Sequence, residues 1–279
     1  MSRRRPADAR AVGVRPPTLV VMVAVVGLLV FFIAPLAGLV QRAPWAHFWS
    51  ILTDSDARTA LRLSLECSLA ATGVALLFGL PIAWVLARTD FRGKSIVRAF
   101  AILPLVLPPV VGGVALSAAF GRRGLAGQYL DRWFGITLPF TTTSVILAET
   151  FVAMPFLVIT VEAALRTLDT RYEAAGATLG ASRWTVLRRI TLPAIAPSLA
   201  AGAALTWARA LGEFGATITF AGNFKGVTQT MPLAVYLAFE TDPGSAIVLS
   251  LVLLAVSITV LALVGRRVFG ARPIGVAAP

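Results

Sequence analysis

One cysteine and one histidine supply the only thiol and the only imidazole in this 279-residue chain, and acidic residues number only 13. A lone Cys67 excludes an intramolecular disulfide. Together with a lone His47 it leaves no cluster able to hold zinc or a related ion, so the metal expectation is none. Charged residues make up 14% of the chain, against about 25% in an ordinary soluble domain. There is no G-x-S-x-G elbow and no H-E-x-x-H pair. The one GKS tripeptide is Gly93-Lys94-Ser95. A phosphate-binding loop needs glycine five positions before Gly93, and Arg88 stands there instead. Without that backbone cradle for phosphate, the chain is expected to be no enzyme and to bind no nucleotide or other cofactor itself.

What the chain does have is apolar length. Hydrophobic residues reach 57% and the mean hydropathy is +0.83. Several runs of about 20 apolar residues match the roughly 30 Å hydrocarbon core of a bilayer. The fold class expected is all-α integral membrane protein with six transmembrane helices. The expected spans are 18–40, 60–87, 95–120, 143–165, 194–221 and 245–264. The run at 18–40 follows a basic tail, 1–17, and is too long for the core of a cleaved signal peptide; a second tail covers 265–279. Prolines interrupt most spans (Pro35, Pro81, Pro104, Pro108, Pro109, Pro155 and Pro197), as bundles tolerate where neighbours satisfy the freed carbonyls.

The net charge of +12 would suggest nucleic acid in a soluble chain. Here the basic residues lie in short segments between apolar runs, where they report topology instead. With the N-terminus inside, the two tails, the two inner loops and the adjoining span end at Arg98 hold 17 of the 25 Lys and Arg. Seven fall on outer segments, counting Arg62 at a span end, and Arg209 alone lies deep within a span. That asymmetry places both termini in the cytoplasm. Trp45, Trp49, Tyr129 and Trp133 fall in the two outer loops and suit headgroup anchoring.

Two stretches stand out. The inner loop 166–193 reads RTLDTRYEAAGATLGASRWTVLRRITLP. Asp169 and Thr170 can cap a helix, with Glu173 completing a capping box; Gly180 suits its end, and Ser182 can cap a second short helix. Helix connections are usually about 2–8 residues, so two helices outside the bilayer imply a platform for another protein. Glu173 is then either a cap or a partner contact. The other stretch is the fifth span. On a continuous helix at about 100° per residue, Thr206, Arg209, Glu213 and Thr217 share one stripe near mid-membrane. Charges there are costly, about 2.5–3.5 kcal/mol on insertion scales, so they face a bundle interior or a polar path. Arg209 and Glu213 are placed to pair, either as a structural tie or as a pathway lining and gate.

The inner loop resembles the "EAA" loop of ATP-binding-cassette importer permeases, EAA-x3-G-x9-I-x-LP. Gly180, Ile190, Leu192 and Pro193 match in residue and spacing, while Glu173-Ala174-Ala175 sits one residue early. The resemblance covers 60–264, the type I (MetI-like) permease domain. Within that family the molybdate branch is most similar, on GEFGA at 212–216, ITFAGN at 218–223 and TQTMPLAVY at 228–236. The resemblance implies an oxyanion importer: a homodimer in the lipid bilayer, a cytoplasmic ATPase dimer carrying ATP and magnesium, and an extracytoplasmic molybdate-binding protein. Sulfate, thiosulfate and tungstate permeases of the same family are alternatives. A secondary transporter would use carboxylates such as Glu66, Glu149, Glu162 and Glu213 but also needs an inverted repeat, which the sequence lacks. A membrane scaffold would need no polar stripe.

Overall fold

The computed structural model describes residues 18–269; the N-terminal tail and the last ten residues lie outside the described part. Among the described residues every regular element is helical. The chain divides into two units, Met1–Ala43 and Pro44–Pro279.

The first unit is α1, Thr18–Arg42. It is apolar all round and long enough to cross a bilayer. Nearly all its side chains are exposed, the pattern of a helix whose solvent is lipid.

The second unit begins with a short turn and α2, Phe48–Leu52. Next comes α3, Ser55–Arg88, started by the Asp54 carboxylate accepting the Asp56 N–H. The spacing of its buried residues gives α3 a narrow face: Ala60, Ser64, Cys67, Ala71, Ala75, Gly79 and Ala83. Small side chains there let the neighbouring backbone come close. A Cβ on Gly79 would stand 3.2 Å from Leu157 Cδ2, and one on Gly202 3.4 Å from Leu157 Cδ1. Leu157 is thus held between two glycines on different helices.

The expected third span, 95–120, is two helices rather than one: α4, Lys94–Val106, and α5, Pro109–Phe120. Each rises only about 18–20 Å at 1.5 Å per residue, so neither crosses alone. The break has a local cause. A residue before proline is pushed out of the helical region; Leu107 and Pro108, each followed by proline, take ψ of 133° and 132°.

A short outer helix, α6 (Gly127–Phe134), leads to α7, Thr142–Thr167. Thr141 and Ser144 start α7 with a reciprocal capping box. This helix is the centre of the unit, packed chiefly between α3 and the helix of the fifth span. Leu157, Val158, Val161 and Leu165 of α7 meet Ala75, Ala83, Leu86 and Ile195 in the main core.

After α7 come α8 (Thr170–Thr178), α9 (Arg183–Val186), a π-helical turn at Leu187–Thr191, and α10 (Leu192–Leu211). The second inner helix is therefore not a separate piece. Arg183–Leu211 forms one 29-residue apolar helix, because the π turn bends the backbone without interrupting it. The expected span 194–221 is in turn not one helix: α10 stops at Leu211, and a separate α11, Gly215–Phe220, follows. Last come α12 (Met231–Thr241) and α13 (Pro243–Phe269), a helical hairpin joined at Asp242. The sixth expected span, 245–264, lies within α13.

Glycine makes the α5–α11 crossing possible. A Cβ on Gly113 would fall 1.7 Å from Thr219 Oγ1 and 2.7 Å from the Ala216 carbonyl, and one on Gly215 2.8 Å from Pro109 Cβ. The C-terminal parts of the two broken spans, α5 and α11, thus touch backbone to backbone.

Candidate functional site

The inner platform is built from its helix ends. Asp169 Oδ1 accepts the Arg171 N–H at 2.9 Å and starts α8. Gly180 ends it at φ +81°, with its own N–H on the Ala177 carbonyl and the Ala181 N–H on the Gly176 carbonyl. That is a Schellman closure, and only glycine takes such a φ without strain. Ser182 caps α9 through the Thr185 N–H.

Glu173 does something else than cap Thr170. Its Oε1 accepts from Arg88 Nη2 at 3.1 Å and from Thr191 Oγ1 at 2.8 Å. One oxygen therefore ties α8 to the last residue of α3 and to the π turn that opens into α10. The capping-box expectation fails because Asp169 already holds the first turn, which frees Glu173 for tertiary contact. Ala174 and Ala175 are exposed, while Gly176 is buried. A Cβ on Gly176 would stand 2.6 Å from Ile190 Cδ1 and 3.4 Å from Val186 Cγ2. Half-buried Ile190 thus packs α8 onto the start of the fifth span. Leu192 is half-buried, and exposed Pro193 sits where the π turn passes into α10. Sequence reasoning missed Gly176, Arg88 and Thr191. The signal for the first was the EAAG string itself; the other two had none.

The platform's outer surface is apolar and open. Tyr172, Leu179 and Trp184 are all more than 60% exposed, beside a cavity of about 580 Å³ walled by Trp84, Ala177 and Trp184. Exposed apolar patches of this kind mark contact surfaces. Beneath it, Glu162 Oε1 accepts from Arg98 Nη2 (2.5 Å) and Arg166 Nε (2.9 Å), and Arg166 Nη2 reaches the Leu86 carbonyl. Glu162 is thus paired and joins α4, α7 and α3.

The second part of the site is the break in the fifth span. Because the helix stops at Leu211, the expected single stripe does not exist as such. Arg209 and Glu213 still meet across the break, Nη2 to Oε2 at 2.6 Å, with Glu213 only 1% exposed. The other oxygen, Glu213 Oε1, accepts the Ala216 N–H at 2.8 Å. One carboxylate therefore neutralises the guanidinium and fills a donor that the first turn of α11 would leave bare. Buried Thr206 donates to the Gly202 carbonyl of its own helix, a local bond that takes it out of the cluster. Buried Thr217, on α11, has a hydroxyl with no hydrogen-bond partner.

The sequence did not join Glu149 to this set. It lies on α7, 1% exposed, with its Oε2 buried and without a hydrogen-bond partner, and is within electrostatic reach of Glu213. Three titratable groups from two helices and a break are thus gathered in the bundle interior, where unpaired charge is least tolerated.

Apolar crossings, a paired charge at a broken span and an exposed helical shelf at one end define a multi-pass membrane permease. Residues 76–273 match the family of binding-protein-dependent transport system inner membrane components, and the chain belongs to that family. It is a permease subunit of an ABC transporter, seated in the inner membrane. A Mycobacterium tuberculosis protein called molybdenum transport system permease protein is 48% identical over 251 residues, 90% of this chain and 94% of the relative. The Escherichia coli protein so called is 42% identical over 213 residues, covering 76% and 93%. A sulfate transport system permease protein of Escherichia coli is 35% identical over 247 residues, covering 85% and 89%.

Among solved structures, a bacterial ABC transporter that imports alginate superposes with a TM-score of 0.70 at 18% identity, over 91% of this chain and 96% of that one. A methionine ABC transporter in an inward-facing form superposes at 0.60 and 17% identity, over 77% and 95%. Both show the type I importer permease fold.

Proposed function

We propose that this chain is the membrane-spanning half of an ATP-driven importer for molybdate. It works as a homodimer with a separate cytoplasmic ATPase dimer, which carries the ATP and magnesium, and with an extracytoplasmic molybdate-binding protein. The permease domain is 60–264, both tails lie in the cytoplasm, and α8 is the face the ATPase grips. The relatives named for molybdenum transport have higher identity than the sulfate relative, which favours molybdate.

The observation that carries this reading is the Arg209–Glu213 pair at the break between α10 and α11. An oxyanion crossing the bilayer needs donors that bind it weakly enough to release it. A free arginine would trap the anion; one already held by Glu213 offers only its remaining N–H groups. Thr217 adds a hydroxyl that nothing in the chain engages. Movement of α8 is passed through Glu173 to α3 and α10, whose far end is the break. ATP drives the cycle by binding one conformation of the ATPase dimer better than the other.

The test is transport in liposomes holding the permease, the ATPase and the binding protein. Molybdate uptake that needs all three, with tungstate competing and sulfate competing poorly, is the expected result. Uptake without the ATPase overturns the importer reading, and equal competition by sulfate moves the substrate to sulfate.

A further inference from the structure

A cavity of about 600 Å³ opens at the N-terminal end of α3, within the size range of ligand pockets. At 1.5 Å per residue the 34 residues of α3 span about 50 Å. Its other end is Arg88, bound to Glu173 of the platform. The cavity and the platform are therefore on opposite sides of the membrane.

Its chemistry is two-layered. The floor is aliphatic: Ile51, Ala57, Leu237 and Leu249. The rim carries three carboxylates, Asp54, Asp56 and Asp242, against one ammonium, Lys225, which pairs with Asp56. Gln229 lines the same space. It is 4% exposed, and its side-chain amide makes no hydrogen bond within the protein. Its amide is not among the sealed, unpaired polar groups of the described residues, so its donors and acceptor are available at the cavity it lines.

The rim excludes an oxyanion, since excess negative charge repels it. A metal ion needs several oxygens converging on one point, and among the described residues no three acidic or His/Cys groups do so. What fits is a long cationic side chain. The methylene stem of arginine or lysine lies along aliphatic surface while its charged head reaches carboxylates and amides.

We propose that this cavity is a socket for an arginine or lysine side chain of the extracytoplasmic binding protein. The inference rests on the importer reading above, which supplies the partner and the side on which it docks. The rim's excess charge comes from its three carboxylates together; of these Asp56, shared with Lys225, has no capping role, whereas Asp54 and Asp242 are engaged as helix caps as well.

The experiment is surface plasmon resonance on the whole transporter in nanodiscs, with its own purified binding protein as the probe. Asp56→Asn and Gln229→Leu are each expected to weaken binding at least tenfold while basal ATP hydrolysis stays at the wild-type rate. For the wild type, raising NaCl from 50 to 500 mM should weaken binding at least tenfold, as screened ion pairs require. Affinities within twofold of wild type for both variants overturn the socket, as they would if a lipid headgroup filled it. Salt-independent binding overturns it too, even if a variant fails to fold. Wild-type transporter that takes up ATPase but does not bind the binding protein at all sinks the importer reading itself, a different result from loss of the socket alone.

Discussion

Arg88 and Glu173 join the last residue of α3 to the first turn of α8, Nη2 to Oε1 at 3.1 Å, with both side chains under 20% exposed. The same oxygen takes the Thr191 hydroxyl. Only Leu168 and Asp169 lie between α7 and α8. This shared oxygen makes α8 move with α3 and α10 together.

Glu173 is therefore expected to act as a coupling strut. Glu173→Ala leaves Arg88 half-buried without its partner and removes the Thr191 bond, a loss of roughly 1–3 kcal/mol in stability. Uptake per ATP hydrolysed should fall about tenfold or more while hydrolysis by the assembled complex continues. Glu173→Gln keeps an acceptor for Thr191 and should lie between the two. Parallel loss of hydrolysis and uptake in Glu173→Ala would show a contact with the ATPase instead of a strut.

Thr217→Val separates stability from transport. The hydroxyl is buried and unpaired, so replacing it with a methyl removes an unmet polar group. Thermal stability in detergent should be unchanged or higher, by up to about 1–3 kcal/mol. Molybdate uptake should drop, since the lost hydroxyl is a donor for the anion. Unchanged uptake takes Thr217 off the path.

Gly113→Ala and Gly73→Ala should behave in opposite ways. The first sets a methyl 2.7 Å from the Ala216 backbone oxygen, which cannot swing aside. Overpacking of this kind costs about 1–3 kcal/mol or more, and the α5–α11 contact should open, seen as a lower melting temperature and lost uptake. Gly73 lies within α3, and a Cβ there meets nothing within 4 Å. Alanine at 73 should leave stability equal or raise it by about 0.5–1 kcal/mol.

The segment between α5 and α7 carries a pH-dependent tie. Hydrogen bonds from Arg122 first, then Thr137, hold the Asp131 carboxyl below its usual range. Because the folded value is the lower one, the tie contributes fully above the ordinary carboxylate range and is lost as pH falls through the depressed value. Proteolysis of the loop should be as slow at pH 5 as at pH 7 and should quicken toward pH 3. In Asp131→Asn the rate should no longer respond to that acid step; a variant with the wild-type profile removes Asp131 as the cause.

The helix-end residues of the platform were legible because capping is local. Ser182 and Gly180 act within three to five residues, so their types at those spacings identify the ends. The Arg209–Glu213 pair was legible for the same reason, being four apart, and it survives although the helix under it stops. Hydropathy found the apolar runs but not the breaks at Leu107-Pro108 and at 212–214. An apolar residue scores the same in a helix or in an extended step, and Gly-Glu-Phe carries no proline to mark the stop. Nor does any local pattern tell that Glu173 turns away from Thr170.

Composition and the order of apolar and basic segments were enough to make this a multi-pass membrane protein, since partition between water and lipid depends on what each segment contains. The loop string was enough to show its family. Only the folded chain decided that Arg88 and Thr191 share one oxygen of Glu173, that Glu149 comes within electrostatic reach of Glu213, and that α5 meets α11 at glycine. Those contacts join residues tens of positions apart through packing in three dimensions, where a side chain's partner is set by which helix lies beside it.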